Sequence, residues 1–532
     1  MSTSNAVELG PAAMSDCARE PIHAPGAIQP YGMLLVIDPV SLQIVEAASA
    51  LASNGAEAAD LLDQPLADVL DGALAPYLPT LVGLAPAEAR LLGSVRLAGG
   101  AHYHAVAHRA ASHIIVELEE PVPGEPGTFE DLYPTIRRFM AEIETATTIA
   151  ELCALAAVHV RAMADFDRTL IYAFDKDWNG TVVAEDGNGV LPSYMDLRFP
   201  ESDIPAQARE LYRRNRVRLI ADADYAPAPL LRSASHAHAS PADLGLAVLR
   251  SVSPVHLQYM RNMGTGASMS VSLLREGHLW GLISCHNAQP KRVPYHVRTA
   301  CEFIGQILSL QIALKERAQA VEERVARRAS LMRLLGRMAG DEDFLAALGR
   351  DPGSLLALTR ASGAAIVHRG QYVLLGECPD QADVHRLTSW LTSQQADADL
   401  FETDHLASRW PDAGAMATVA SGVLSISISQ LHDSFLVWFR PEVVRTVQWG
   451  GDPRKDQAAM LTPRTSFEAW KQTVHEQSLP WDQVDLDAAM ELRTAIVDIV
   501  LRKAEEMAEL NEQLMRSNKE LEAFSYSVSH DL

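Results

Sequence analysis

Cysteine is scarce: Cys17, Cys153, Cys285, Cys301 and Cys378 are the only five in 532 residues, and no two form a C-x-x-C pair. That pattern excludes a disulfide scaffold and a thiolate zinc site, and it fits a reducing, cytoplasmic compartment. Long apolar runs are missing too; none reaches the ~20 residues that a membrane helix needs. The opening MSTSNAVELGPAAMSD has neither a basic nor an apolar stretch of the kind a secretory signal requires. Positive charge is in deficit, with 45 Lys and Arg against 68 Asp and Glu, a formal net charge of −23. Nucleic acid is therefore excluded as a partner, because its binders carry a basic footprint. No G-x-G-x-x-G follows a strand-like segment, which removes the dinucleotide fingerprint of a redox enzyme.

What is present is ordinary globular material, 48% apolar and 21% charged, enough for three to four domains at about 150 residues each. Residues 29–120 read as an α+β domain, with strands in YGMLLVID, LQIVEAAS and ASHIIVELEE, and PVPGEPG (121–127) reads as a linker. A second domain follows from about 128 to 315. FEDLYPTIRRFMAEIETATTIAELCALAAVHVRAM predicts one opening helix, and RTLIYAF, GTVVAE, SMSVSLL and LWGLISCHN predict strands. The Pro-free stretch from Cys301 predicts one long helix leading into a third domain at about 330–490, with strands AAIVHRG, QYVLLGE, VLSISIS and DSFLVWFR. Residues 488–528 are helical again. From Met507 the steps Leu510, Leu514, Ser517, Leu521, Phe524 and Val528 alternate three and four, which predicts a coiled coil and a parallel homodimer.

Cys153 and Cys301 sit on apolar helical patterns and read as core. Cys17 does not: it lies in the arm SDCAREPIHAPGAIQPYG, where a thiol is either hidden or used. No glycine-rich oxyanion loop accompanies it, which argues against a cysteine hydrolase. The histidines of HYHAVAH (His102, His104, His108) and HAHAS (His236, His238) have no cysteine or carboxylate at zinc-ligand spacing, so no metal is expected.

Five segments, CAREPIHAPGAIQPYG, RFPESDIPAQARELY, VLRSVSPVHLQYMRNMG, LWGLISCHN and PRTSFEAW, closely resemble the signatures of bacterial phytochromes, and in the same order. The resemblance spans nearly the whole chain. It implies an α+β, three-domain PAS-GAF-PHY photosensory module, antiparallel sheets flanked by helices on a long helical spine. The expected boundaries are 1–125 for the arm and PAS domain, 126–315 for GAF, 316–500 for PHY with a tongue at about 431–472, and 501–532 for the start of a kinase dimerisation helix. It also implies a figure-of-eight knot, the arm passing under a GAF loop with Ile28 at its centre, an exception to the rule against threading.

By the same resemblance the pigment is biliverdin, bound as a thioether to Cys17. Arg218 and Arg250 match the clamps for one propionate, a role that suits a forked guanidinium. Ser268 and Ser270, two apart on a strand and so on one face, match the hydroxyls that hold the other. Asp203 matches the residue whose backbone carbonyl accepts from pyrrole N–H groups, His256 the imidazole near the rings, and His286 the donor to the end-ring carbonyl. Tyr172, Phe199 and Tyr259 match an aromatic cage; Ile204, Tyr212 and Ser253 are secondary contacts. Taken by residue type alone, Arg218 in YRRNRVRL reads equally as a solvated charge, and an isolated histidine or aromatic as packed core.

Light would turn the end ring, and Asp203 would exchange partners with Arg464, beside Ser466, on a tongue that refolds from hairpin to helix, repacking Trp438 and Trp449. Burying Asp203 without its arginine costs on the order of 3–5 kcal/mol. LEAFSYSVSHDL resembles a histidine-kinase phosphoacceptor box with His530 as acceptor, implying a two-component parent and a response regulator as partner. No ATP-binding motif follows, so this chain is expected to be a truncated module without kinase activity of its own. Two departures stand out: Glu201 where relatives carry alanine, and a 231–246 loop without an Asn-Pro turn, expected on the end-ring side. The competing readings are a pigment-free PAS/GAF sensor and a bilin reductase.

Overall fold

The computed structural model describes residues 20–50, 57–86, 88–96, 102–110, 112–122, 129–238, 240–341, 344–368, 370–394, 399–428, 434–451, 467 and 469–530. Cys17, Arg464 and Ser466 lie outside the described residues. The chain divides into two units, residues 1–316 with 448–471 and residues 317–447 with 472–532.

In the first unit β1 (Ala27–Ile28), β2 (Gly32–Ile37) and β3 (Ile44–Ser49) precede the short α1 (Leu78–Val82), then β4 (Ala89–Arg96), β5 (His102–Arg109) and β6 (Ile114–Glu119). The apolar run of β2 is continuous rather than alternating because both faces are covered. Leu34 and Val36 enter the core shared with the next domain, while Met33, Leu35 and Ile37 enter a core of their own.

The single helix expected over 129–163 is two, α2 (Tyr133–Ile143) and α3 (Ile149–Ala164). Thr148 breaks it. Its extended backbone starts α3, its hydroxyl accepts from Glu151 N at 3.2 Å, and the Glu151 carboxylate accepts from Thr148 N at 3.1 Å. This reciprocal cap is written in the sequence as T-x-x-E.

There follow β7 (Arg168–Phe174), β8 (Gly180–Gly187), β9 (Arg198–Phe199), α4 (Ala206–Arg214), β10 (Val217–Ile220), β11 (Ala228–Pro229), β12 (Leu231–Arg232), α5 (Pro254–Asn262), β13 (Ala267–Arg275), β14 (His278–Asn287) and α6 (Tyr295–Ala339). With β20 (Arg445–Gly450) and β21 (Ala469–Val474), six of these strands form an eight-stranded sheet in the order β10-β13-β14-β7-β8-β9-β20-β21, while β11 and β12 pair elsewhere. One face, with Leu219, Met269, Val271, Ile283, Cys285 and Ile171, packs on Phe139 of α2, Leu152 and Cys153 of α3, and Cys301 and Ile304 of α6.

The arm is clasped from both sides. Gly26 O and β1 bond to Ala228–Leu230, while Gln29 N donates to Leu249 O at 2.7 Å and Ser251 N to Ala27 O at 3.0 Å. Gln29 Nε2 and Oε1 extend the clasp to Leu219 O at 2.9 Å and Ala221 N at 3.2 Å. Ile28, fully buried, lies between β11 and Arg250. Beyond β11 the same loop returns to the first sheet, where β12 pairs with Ala47 and Glu46 of β3. The arm is thus held inside a loop whose two sides both bond to it.

In the second unit α7 (Phe344–Gly349), α8 (Pro352–Thr359), β15 (Gly363–His368), β16 (Gln371–Gly376), α9 (Gln381–Gln394), β17 (Leu400–Thr403), α10 (Leu406–Arg409), α11 (Ala417–Ala420), β18 (Gly422–Ser427), β19 (Ser434–Arg440) and α12 (Gln483–His530) follow in order. The five-stranded sheet runs β16-β15-β19-β18-β17. Leu331, Leu334 and Met338 of α6 cover one face with Leu355 and Leu358 of α8 and Leu492 and Ile496 of α12; Val384, Leu387 and Leu391 of α9 cover the other.

Trp438, expected on the tongue, belongs to this core. It is fully buried in β19, between β15 and β18, and its indole N–H donates to Leu355 O at 3.0 Å. A buried strand with both neighbours bonded cannot be part of a projecting hairpin, so the expected tongue cannot include β19.

Candidate functional site

Register assembles the site. Arg218 of β10 pairs with Ser270 of β13, Ser270 with Ser284 of β14, and Ser284 with Leu170 of β7. One alternation along, Ser268 pairs with His286 and His286 with Arg168; in the other direction Leu282 pairs with Tyr172. Paired residues share a face and successive ones alternate. All of these therefore lie on the side opposite the helical core. That side is polar and yet covered: Arg168 is 1%, Arg250 6%, Ser270 6%, His286 8% and Arg218 9% exposed.

Arg218 Nη2 donates to the Arg250 carbonyl at 2.7 Å and its Nη1 to Ala247 O at 3.4 Å. The Arg250 guanidinium donates to Ile22 O of the arm, and its Nε has no hydrogen-bond partner. Every hydrogen bond of these two side chains thus goes to a backbone carbonyl, and among the described residues neither forms an ion pair with a carboxylate, although Asp243 acts on Arg250 and Glu117 on Arg218 from farther off. Burial, and then the Arg218 charge, push Arg250 down to about 8; burial also lowers Arg218. Two adjacent buried cations are costly unless an anion joins them. The pair, with the Ser268 and Ser270 hydroxyls on the neighbouring strand, fits a ligand that carries carboxylates.

Ser253, at the start of α5, donates from Oγ to Glu20 Oε2 at 2.8 Å. It ties to α5 the end of the arm that is three residues from Cys17 in the sequence. His256, in the first turn of α5, stacks on Tyr259 with centroids 6.0 Å apart and planes at 9°. Burial of its ring and the Arg218 charge push it down to about 4, so it is neutral. Tyr259 O–H donates to Asp203 Oδ2 at 3.3 Å.

The expected aromatics Tyr172, Phe199 and Tyr259 do not meet directly as a set. Two residues that the sequence reading passed over join them. Phe467 is edge-on to Tyr259 at 5.1 Å and stacked on Tyr194 at 6.3 Å, Tyr194 is 5.8 Å from Phe199, and Phe199 is 6.0 Å from Tyr172. Ile204 and Tyr212 pack against the same cluster. Gly180 makes room for it, because a Cβ there would fall inside the Tyr172 ring. Phe467 had a signal, the phenylalanine of PRTSF; Tyr194, alone in SYMDL, had none.

His286 Nε2 is 3.0 Å from Ser284 Oγ, and its Nδ1 is 3.0 Å from Arg168 Nη2. Burial, then the charge of Arg168, hold it well below the usual histidine range. Arg168 was also passed over.

Glu201 pairs with Arg209 at 2.9 Å; Arg209 donates to Ile204 O at 3.0 Å and covers the Trp178 ring at 4.6 Å. Trp449 of β20 lies in register with Arg198 of β9, whose guanidinium stands 5.2 Å over its ring. The 231–246 loop, expected on the end-ring side, packs here against the first sheet and the arm. Leu231 and Arg232 pair with β3, Ser233 and Ser235 bond to Asp63, and Leu244 N donates to His23 O at 2.8 Å, so it belongs to the clasp around the arm.

Comparison with known proteins accords with this architecture. The PAS fold family matches residues 17–121, the GAF domain family 148–315 and the phytochrome region family 327–505. Cyanobacterial phytochrome B of Nostoc sp. is 40% identical over 531 residues, covering 98% of this chain and 70% of that protein. A bacteriophytochrome of Xanthomonas campestris is 34% identical over 513 residues, covering 92% of this chain and 78% of that protein. Among solved structures, the wild-type photosensory core module of Stigmatella aurantiaca phytochrome has a TM-score of 0.75 at 38% identity, covering 93% of this chain and 99% of that one. A bacteriophytochrome of the photosynthetic bacterium R. palustris has a TM-score of 0.76 at 37% identity, covering 92% and 100%. The chain belongs to the phytochrome family of photoreceptors, as a bacterial phytochrome photosensory module with PAS, GAF and PHY domains.

Proposed function

We propose that the polar face of the eight-stranded sheet holds biliverdin, joined through a thioether to Cys17, and that the chain reports red and far-red light to a histidine kinase in a longer, cytoplasmic, two-component parent. The observation that carries this reading is the pair of buried arginines bonded to backbone carbonyls alone. Arg218 and Arg250 are the partners for one propionate, and Ser268 and Ser270 for the other. Asp203 supplies a backbone acceptor, His256 a neutral imidazole, and His286 a donor to the end ring. Tyr172, Phe199 and Tyr259, with Tyr194 and Phe467, wall that end; Ile28, Ile204, Tyr212 and Ser253 complete the surround. When bound, the pigment supplies a light absorber whose terminal double bond isomerises.

The chain's own part is to hold the rest still and let one end change partners. Asp203 pairs with Arg464, beside Ser466, on a tongue that begins after Arg440, and Trp449 repacks when it refolds. The domains run 1–125, 126–315 and 316–500, with the kinase dimerisation helix from 501. Met507, Leu510, Leu514 and Leu521 of α12 are all more than half exposed, which favours a homodimer along this helix, with His530 as phosphoacceptor toward a response regulator in the intact parent.

The test is pigment attachment. The chain incubated with biliverdin should keep colour through denaturation and gel separation; Cys17→Ser should bind pigment in the native state and lose it on denaturation. Colour that survives denaturation in Cys17→Ser overturns the thioether.

A further inference from the structure

Arg168 is the least exposed charged side chain on the polar face, and it carries none of the roles assigned above. It opens β7 directly beside His286 of β14. Its Nη1 donates to Pro192 O, its guanidinium lies 3.9 Å over the Tyr194 ring, and its Nη2 is 3.0 Å from His286 Nδ1. Burial lowers Arg168, and Tyr194 and Glu185 oppose that; Glu185 is itself engaged by Ser193 Oγ at 2.9 Å and Tyr194 N at 2.8 Å. Arg168 is thus fixed by carbonyl and ring contacts, and it points an N–H at an imidazole nitrogen.

The guanidinium of Arg168, a donor already to Pro192 O, offers N–H groups and no acceptor. A nitrogen that faces it at hydrogen-bond distance must accept. His286 Nδ1 then carries no proton, and the ring's one proton sits on Nε2. A second proton on Nδ1 would place two N–H groups head to head. We propose that Arg168 is a positioning residue that locks His286 as the neutral imidazole with its proton on Nε2, making that nitrogen a donor only.

This rests on the reading of His286 as the donor to the pigment's end-ring carbonyl, and it explains how the donor role is enforced. An imidazole in the other tautomer would offer a lone pair to that carbonyl. An imidazolium would add a charge to the end ring that could be lost by titration near neutral pH. The groups that face His286 are Arg168 from β7, Ser284 on its own strand, Ser268 in register on β13 and His256 from α5. Arg168 alone among these has donors and no acceptor. Ser284 can follow either tautomer, because a hydroxyl donates or accepts as required.

The experiment reads the tautomer on the chain without pigment, by nitrogen-15 histidine NMR with the His286 signals assigned by their loss in His286→Gln. The wild type should show a neutral ring protonated on Nε2, unchanged between about pH 5 and 8. Arg168→Met should give a mixed or titrating ring in that range, and Arg168→Lys, which keeps a charged donor, should restore the locked form. Ser284→Ala, a substitution that leaves packing intact, should keep the Nε2 proton. A locked tautomer in folded Arg168→Met overturns the proposal, as does a switched tautomer in Ser284→Ala; the second arm holds whether or not Arg168→Met folds. With biliverdin added, the red band of Arg168→Met should shift with pH where that of the wild type does not. If NMR shows the lock but the band is insensitive, Arg168 still positions His286, and the contact between His286 and the pigment is what fails.

Discussion

Arg218 Nη2 donates to the backbone carbonyl of Arg250 at 2.7 Å, so the side chain of one buried arginine fixes the main chain that carries the other. The same stretch is held from the opposite side, where Leu249 N donates to Glu117 Oε2 at 2.7 Å and Gln29 Nε2 to Val248 O at 3.2 Å. The first domain and the threaded arm therefore hold in place the segment that bears the second arginine. Like charges kept together in a low-dielectric place repel, and rigid backbone contacts are what keep them there.

That repulsion sets stability against binding. Arg250→Gln should leave the pigment-free chain with an unchanged or higher melting temperature, because a buried cation without an ion-pair partner among the described residues is removed. Charge-assisted hydrogen bonds contribute roughly 1.5–3 kcal/mol, so the same substitution should weaken biliverdin binding by about 10-fold or more. Calorimetry of the free chain and a pigment titration check the two halves.

Gly180→Ala tests the aromatic wall. The added Cβ cannot coexist with the Tyr172 ring in its present position, and overpacking of this kind costs about 1–3 kcal/mol. The expected outcome is a lower urea midpoint together with a displaced red absorption band. Gly189→Ala, in an open part of the loop after β8, should leave the band in place.

The second unit turns on one carboxylate. Asp485, fully buried at the start of α12, accepts from Arg327 of α6 at 2.9 Å, from Arg360 at 3.0 Å and from Arg440, the last residue of β19, at 2.9 Å. Arg440 also donates to Pro480 O at 2.6 Å, shortly before α12, and stacks over Trp481 at 3.8 Å. Asp485→Asn leaves three arginines around a neutral group, at an expected loss of about 3–5 kcal/mol. Denaturant unfolding followed by tryptophan emission should show the second unit unfolding at lower denaturant, with pigment attachment unchanged.

The pH dependence of stability has a definite sign. His108 and His256 are pushed down to about 4 by burial, so from about pH 4 to 6.5 they bind protons only in the unfolded chain, and stability rises with pH. Glu117, pushed up to about 7 by burial, opposes them: from about pH 4.5 to 7 the folded chain keeps a proton that the unfolded chain releases. The 3.6 Å contact of His108 with Glu117 is between neutral groups over much of that range. His256→Gln should flatten the rise in urea midpoint between about pH 4.5 and 6.5, and Glu117→Gln should steepen it.

The sequence carried much of the fold and part of the site. Strands β13 and β14 were legible because alternation marks a half-polar face, and Ser268 and Ser270 could be set on one side of a strand before any coordinates. The break at Thr148 was written in T-x-x-E, but the apolar periodicity on either side of it masked the stop. Trp438 misled because DSFLVWFR reads as a strand wherever it lies; only its bonding to β15 and β18 places it in a core. Arg168 and Tyr194 were out of reach. Their significance lies in cross-strand register and in packing against residues far along the chain, and no local spacing reports either.

The most direct measurement is the absorption spectrum of the purified chain with biliverdin, recorded before and after red illumination and again after far-red. The expected result is a red-absorbing band that illumination exchanges reversibly for a second one. A complex that shows no red band, or a band that illumination leaves unchanged, contradicts the account of a pigment whose end ring turns within this site.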